Sequence, residues 1–433
     1  MKKFLAIFLT LVLAIGVLAG CSGSGASSGA DGEVTGEITV WGWNVAAEAM
    51  ELAVPEFKKK YPDVEVKLVD IGRLDLYDKL TVGLAANGAG LPDVILVESD
   101  RLDNYKKEFP NGFLNLSEMG YDAYDDKFGP SKMSAVKNED GEFVAMPWDI
   151  GPTGVFYRVD LFEQAGVDPA SIETWDDFIE AGKKIKDTTG AQMVPVDVAK
   201  DDALFRMMLN QQGAFYYDEE GNIDFTSQEA VNAMTKIQEL HQNGLVANVD
   251  GWDGTVTATV NGTVATVPFG VWYSGTIMDQ AKELEGKWDV IELPAFEEGG
   301  NRAANLGGSD IAIPSASKNK EAAYAFAEFF TTDKNIQVAA LKEKGIFPSL
   351  LETYEDPYFD EEVPFFNNKP VYRKFADQVK DIPPANYTND YPRGLKYAAD
   401  AQASALLDKQ EPAAALETAA KQLANETKRE INN

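Results

Sequence analysis

The sequence predicts an α/β protein of two lobes. Three observations carry this: strands and helices alternate from Ile38 onward, two long extended stretches interrupt the alternation, and roughly 400 residues are available, enough for two domains of ordinary size. Strand, helix, strand, helix, strand in succession implies a parallel sheet with helices on its faces.

Before that alternation the chain reads as targeting sequence. Lys2 and Lys3 precede an apolar run from Phe4 to Val17 broken only by Thr10, the charged and apolar regions of an export signal and too short to span a bilayer. The run ends in Leu18-Ala19-Gly20-Cys21, which resembles the lipobox of bacterial lipoproteins, where cleavage leaves an acylated N-terminal cysteine; an ordinary secretory signal is the alternative. Residues 1–20 are then the signal, and residues 21–36 hold the lipidated Cys21 and a flexible tether of Ser, Gly and Ala. Cys21 is the only cysteine, so no disulfide forms and the fold rests on burial alone.

The elements follow in order. "ITVWGWN" (38–44) is a strand ending in a polar turn, and Met50, Val54, Phe57 and Tyr61 recur at helical spacing, with Pro55 expected to bend the helix. "VEVKLV" (64–69) alternates as a strand, "LYDKLTVGLAANG" (76–88) is helical with a glycine stop, and "DVILV" (93–97) is a buried strand. Residues 140–162 run extended through Pro147 and Pro152, too long for one strand, and form a first crossing between lobes. Thr174 and Asp177 make a capping box for the next helix, and Val231, Met234, Ile237 and Leu240 mark another. Residues 305–319 form a second crossing with Gly307 and Gly308, before a helix at 322–330; the C-terminus from Tyr397 is helical.

Three blocks in this order, "PWDIGPTGVFYRVDLFEQAGVD" with "TWDDFIEAGKK", "NGTVATVPFGVWYSG", and "GGSDIAIPSASKNKEAAYAFAEFFTT", resemble the extracellular solute-binding lipoproteins of bacterial ABC importers, in the maltose-binding-protein-like sugar group. The resemblance implies a periplasmic-binding-protein-like fold, two α/β lobes joined by a hinge around a ligand cleft. It implies an N-terminal lobe of 37–147 and 309–360, and a C-terminal lobe of 148–308 and 361–433. It further implies capture of a carbohydrate, delivery to ABC permease subunits whose ATPases are separate chains, no cofactor and no metal. A monomer on the outer face of the membrane is expected; the tether and the lack of disulfides favour a Gram-positive surface, with a periplasmic lipoprotein as the alternative.

A sugar presents apolar C–H faces and a rim of hydroxyls, so its site needs aromatic rings and planar polar groups. Trp43 and Asn44 end the first strand, where open α/β sheets bind ligands; the bland readings are a Trp packed on its own lobe and an Asn that only caps a helix. Asp100 and Arg101 follow the third strand and resemble in place the Asp-Arg pair with which the group holds hydroxyls; a surface ion pair is the alternative. Trp148 and Asp149 lie in the first crossing, and the group's glutamate a little further along falls on Gly151, so Asp149 is read as its substitute. Trp272 sits at the group's stacking position, with Tyr273 pointing away, and Trp252 joins the rim from a turn-rich loop. Asp310, beside the paired glycines, is read as a hydroxyl acceptor or else as solvated. The group's last aromatic cluster falls on Gly394, Leu395 and Lys396, with Tyr387, Tyr391 or Arg393 nearby, so maltose is not carried over as ligand.

A net charge of −31 repels nucleic acid. The single histidine, His241, lies on a polar helix end, and no nucleophile elbow, zinc-protease or phosphate-loop motif is present. "DEEGNID" (218–224) reads as a hairpin turn rather than a calcium loop. The rival functions are a glycoside-active enzyme using Asp149 and Asp310, and a lipid-anchored adhesin or sensor accessory.

Overall fold

The computed structural model describes residues 34–432. The signal, Cys21 and nearly all of the tether lie outside the described residues. From its start the chain lays down β1 (Gly36–Gly42), α1 (Asn44–Lys60), β2 (Val64–Asp70), α2 (Arg73–Ala85), β3 (Val94–Glu98), α3 (Ser99–Glu108), α4 (Pro130–Val136) and β4 (Ala145–Pro147). Next come β5 (Thr153–Arg158), α5 (Val159–Ala165), α6 (Trp175–Thr189), β6 (Val194–Val196), α7 (Ala203–Gln211), α8 (Gln228–Gln242) and β7 (Val246–Asn248). These are followed by α9 (Gly251–Val260), β8 (Thr266–Gly270), α10 (Tyr273–Gln280) and β9 (Trp288–Ile291). The chain then returns as β10 (Ser309–Ala312), α11 (Lys320–Thr332) and α12 (Lys334–Lys344), and finishes with α13 (Val371–Gln378), α14 (Tyr391–Leu406) and α15 (Pro412–Thr427).

Both lobes repeat one sheet plan. The first has the order β2-β1-β3-β10-β4, parallel through β3 and antiparallel beyond it. In the second, β7 pairs parallel with β6, and β8, β5 and β9 pair antiparallel. Ala265 N–H to the Gln192 carbonyl (2.7 Å) and Thr266 N–H to the Met193 carbonyl (3.0 Å) join β8 to β6, giving the equivalent order β7-β6-β8-β5-β9. Thr174 and Asp177 form the expected capping box at the start of α6, and residues 218–222 close a hairpin turn. Apolar side chains around Val40, Leu96, Met146 and Phe326 form the core of the first lobe. Two clusters fill the second, one around Trp175, Phe205 and Leu416, the other around Phe156, Trp288 and Phe375.

The chain also passes between the lobes a third time. The third passage runs through Phe347, whose carbonyl accepts from Ile150 N–H (3.1 Å), and Ser349, whose N–H donates to the Trp148 carbonyl (2.9 Å). Phe347 and Phe359 pack with Phe156 and Phe375 in the second lobe. The stretch expected to belong to the first lobe up to residue 360 therefore leaves it sooner.

Three expected ligand contacts turn inward at these crossings. Trp148 is 1% exposed and packs on Phe330 with ring centroids 5.0 Å apart; β4 belongs to the first-lobe sheet, and the residue after it drops into that lobe's core. Asp310 is fully buried: Lys132 Nζ lies 2.6 Å from its Oδ1 and Ser99 Oγ donates to its Oδ2 at 2.8 Å. Asp149, 6% exposed, accepts from Ser309 N–H at 2.6 Å. Lys132 also donates to Ser99 Oγ (2.7 Å) and to the Ser309 carbonyl (3.0 Å), so one lysine serves two buried carboxylates. A fully buried Asp310 that bonds this lysine does not flank a glycosidic bond, and the enzyme reading built on Asp149 and Asp310 falls with it.

Burial pushes the Asp149 carboxyl up to about 7, with Lys132 opposing the rise and Asp310 and Glu98 adding to it. An unfolded Asp titrates near 4, so between about pH 4 and 7 the folded chain holds a proton that the unfolded chain has lost, and this group's stability contribution falls as pH rises across that window. Asp149→Asn keeps the acceptor and does not ionise. Its melting temperature should match the parent near pH 4.5 and exceed it increasingly up to pH 8; a difference that stays constant with pH in thermal melts would refute the assignment.

Candidate functional site

The site is built at the carboxyl ends of parallel strands. β1 and β3 lie side by side, so Trp43 and Asn44 emerge next to Glu98, Ser99, Asp100 and Arg101. Trp43 takes the cap position of α1 in extended backbone, half-buried, its ring 5.8 Å from that of Tyr77. Asn44 is not the cap. It is the first helical residue, exposed, in left-handed backbone at φ 46°, with its N–H donating to Asp70 Oδ1 at 3.0 Å.

α3 starts directly after β3, which puts Asp100 and Arg101 in its first turn. They do not pair with each other. Arg101 lies 3.3 Å from Glu98 and stacks over Tyr77, its guanidinium carbon 4.5 Å from the ring centroid. Arg73 (2.6 Å) and the Tyr77 hydroxyl (2.9 Å) complete the hold on Glu98. Burial opposes ionisation of Glu98, but Arg73 first and Arg101 after it hold its carboxyl below the usual range. Asp100 reaches instead into the second lobe, 3.7 Å from Arg206 of α7, and burial together with the neighbouring Glu98 pushes its carboxyl up against that pull.

An aromatic wall faces these residues from the second lobe. Trp272 caps α10 and donates its indole N–H to the Leu306 carbonyl at 2.8 Å, in the second crossing. Three glycines make room for it: a Cβ on Gly270 would lie 2.5 Å from the indole nitrogen, on Gly307 3.0 Å and on Gly151 3.2 Å. The Gly151 Cβ would also strike the Leu306 carbonyl at 2.1 Å, so this position has no space for the acid that the resemblance implied. Trp252 lies 5.9 Å from Trp272 at 32° and Phe269 5.0 Å at 70°, while Tyr273 points away, buried, its hydroxyl 2.8 Å from that of Thr259. Trp252 is 46% exposed and sits in the first turn of α9, a helix where a turn-rich loop was expected. With Asn44, Val45 and Glu48 of α1 it lines a cleft of about 760 Å³.

The lobes also meet where α14 packs on α3. Arg206 bonds the Tyr391 hydroxyl and lies over its ring at 5.9 Å; the Tyr387 ring meets Tyr391 edge-on at 5.3 Å. Tyr387 and Tyr391 thus stand beside Arg206, whereas Arg393 pairs with Asp390 (2.7 Å) and Glu426 (3.0 Å). Asp100 Oδ1, Arg101 Nε, Arg206 Nε and both oxygens of Asp202 are buried without a hydrogen-bond partner. Sequence reasoning missed Lys132, Asp202 and Arg206. The adjacent acids Asp201 and Asp202 ahead of a helix were the available signal for the last two. Among the described residues no group of His, Cys, Asp and Glu is arranged to hold a metal.

The family model described as bacterial extracellular solute-binding protein matches residues 42–337. The lactose-binding protein of Rhizobium radiobacter is 33% identical over 362 residues, covering 81% of this chain and 83% of its own. The arabinooligosaccharide-binding protein of Bacillus subtilis is 31% identical over 302 residues, covering 67% and 68%. Among solved structures, the ABC transporter associated binding protein from B. animalis subsp. lactis, in complex with beta-1,6-galactobiose, aligns with a TM-score of 0.76 at 25% identity over 91% of this chain and 98% of that one. The GacH receptor of Streptomyces glaucescens aligns with a TM-score of 0.76 at 23% identity, covering 92% and 100%. A match of this extent to the family model, together with the two-lobed fold, shows that the chain belongs to the bacterial extracellular solute-binding proteins, in the sugar-binding group that serves ABC importers.

Proposed function

We propose that the protein captures a short oligosaccharide between its lobes and delivers it to a membrane permease, tethered outside the cell through acylated Cys21 on a Gram-positive surface, as a monomer. The observation that carries the ligand class is the Trp272 ring, pinned to the hinge backbone through Leu306 and extended toward solvent by Trp252. Rings so held match the C–H face of a pyranose or furanose. Polar groups without partners around Asp100, Arg101 and Arg206 match its hydroxyls. Trp43, Asn44, Asp100, Arg101, Trp252 and Trp272 are the proposed contacts; Trp148, Asp149 and Asp310 are not. The aromatic wall and the polar cluster are separate features of the cleft, which favours more than one sugar ring. Relatives named for lactose and for arabinooligosaccharides, and a structure holding beta-1,6-galactobiose, support the same size class.

A thermal-shift screen against mono- and oligosaccharides tests the reading, since a ligand that binds only the folded form raises the melting temperature. A shift with one oligosaccharide series and no hydrolysis of it is expected; silence across the panel, or cleavage of any sugar, overturns the reading. Trp272→Ala should weaken binding of that sugar by about 1 to 3 kcal/mol. Unchanged affinity in calorimetry of a folded variant would remove Trp272 from the site.

A further inference from the structure

Asp202 stands at the cap position of α7, where an Asp carboxylate ordinarily accepts a backbone N–H of the first turn. It makes no such bond. The residue is fully buried, and neither carboxylate oxygen accepts a hydrogen bond of ordinary geometry. Its surroundings lie where the two lobes touch: Arg206, one turn along α7, is flanked by Asp202, by Asp100 from the first lobe and by Tyr391 from α14. A buried carboxylate with no hydrogen bond of ordinary geometry costs stability even beside the Arg206 charge, which points to a task other than capping. We propose that Asp202 is a sugar-binding residue of the second lobe: with Arg206 it fixes a neutral, polyhydroxyl end of the ligand and makes the cleft reject sugars that carry a carboxylate or phosphate there. The proposal rests on the sugar-receptor reading and adds the charge class of the ligand.

The chemistry is set by what lacks a partner. Asp202 offers acceptors on both oxygens and Asp100 on Oδ1, while Arg206 offers an Nε–H donor; Arg101 Nε lies 3.3 Å from Glu98 and is engaged there. A hydroxyl donates and accepts at once, so neighbouring hydroxyls of one ring serve both kinds of group. An anionic substituent meets two carboxylates around one guanidinium. Burial pushes the Asp202 carboxyl up to about 7, Arg206 opposing and Asp201 and Asp100 adding to the rise, so the carboxylate prevails above that pH.

The test uses the purified protein at pH 8 with the neutral oligosaccharide that gives the largest thermal shift, and with the same sugar carrying a terminal uronic acid. Calorimetry should give at least about tenfold weaker binding of the acid to the parent protein. Asp202→Asn should weaken the neutral sugar, narrow the discrimination by about tenfold, and melt without ligand at or above the parent temperature, because no bond is removed. Equal binding of both sugars by the parent overturns the proposal. So does a variant with unaltered discrimination, whether it melts normally or, as a structural residue would, several degrees lower. If the parent binds no neutral sugar at all, the receptor reading fails and this proposal with it.

Discussion

The first-lobe base of the crossings rests on one buried cation. Lys132, brought in by α4, bonds Asp310 and Ser99, and donates to the Ser309 carbonyl at the base of β10. Burying a carboxylate as deeply as Asp310 without such a partner costs several kcal/mol, and losing the lysine would leave that charge uncompensated. A hydrophobic pair would fill the space at less desolvation cost, but would not fix Ser99 and Ser309 at the two ends it ties together. Ser99 begins α3 and its N–H donates to the Gly308 carbonyl, so the same network sets where Asp100 and Arg101 leave the first lobe.

Around that base the crossings are laced so closely that only small residues fit. Gly308 lies at φ 104°, and a Cβ there would stand 3.0 Å from the Asp149 carbonyl; Gly307 at φ 94° faces the Trp272 indole. The aromatic wall is therefore keyed to backbone from both crossings, not only to its own lobe. The Trp272 to Leu306 hydrogen bond ties that ring to the backbone of the second crossing.

Much of this was legible in the sequence because it rests on local pattern. The capping box at Thr174, the alternation of Trp272 and Tyr273 and the two long crossings are written in residues a few positions apart. Trp148 and Asp310 were misread because an extended crossing has no face of its own: which way a residue points is decided by the sheet it joins, and β4 and β10 both pair into the first lobe. The third passage through Phe347 carries no composition signal, being short and flanked by ordinary helix and turn. Lys132 and Arg206 stayed hidden for a different reason. Each is an unremarkable basic residue on a helix, and its partner comes from the far side of the fold.

On the receptor reading proposed above, the residues where the lobes touch give sugar binding a way to favour closure. With α3 against α14, Asp100 and Arg206 are drawn together, yet 3.7 Å is a loose approach, and several polar atoms beside them have no partner. Each unsatisfied buried group costs about 1 to 3 kcal/mol, so lobes that meet without ligand carry a penalty that open, hydrated lobes do not. A ligand that supplies the missing donors and acceptors removes the penalty only in the closed form. Moving a two-state equilibrium from mostly open to mostly closed takes a differential of about 5.5 kcal/mol, and a few such groups supply a term of that order. On that reading, the unpartnered groups between the lobes are what makes closure depend on cargo.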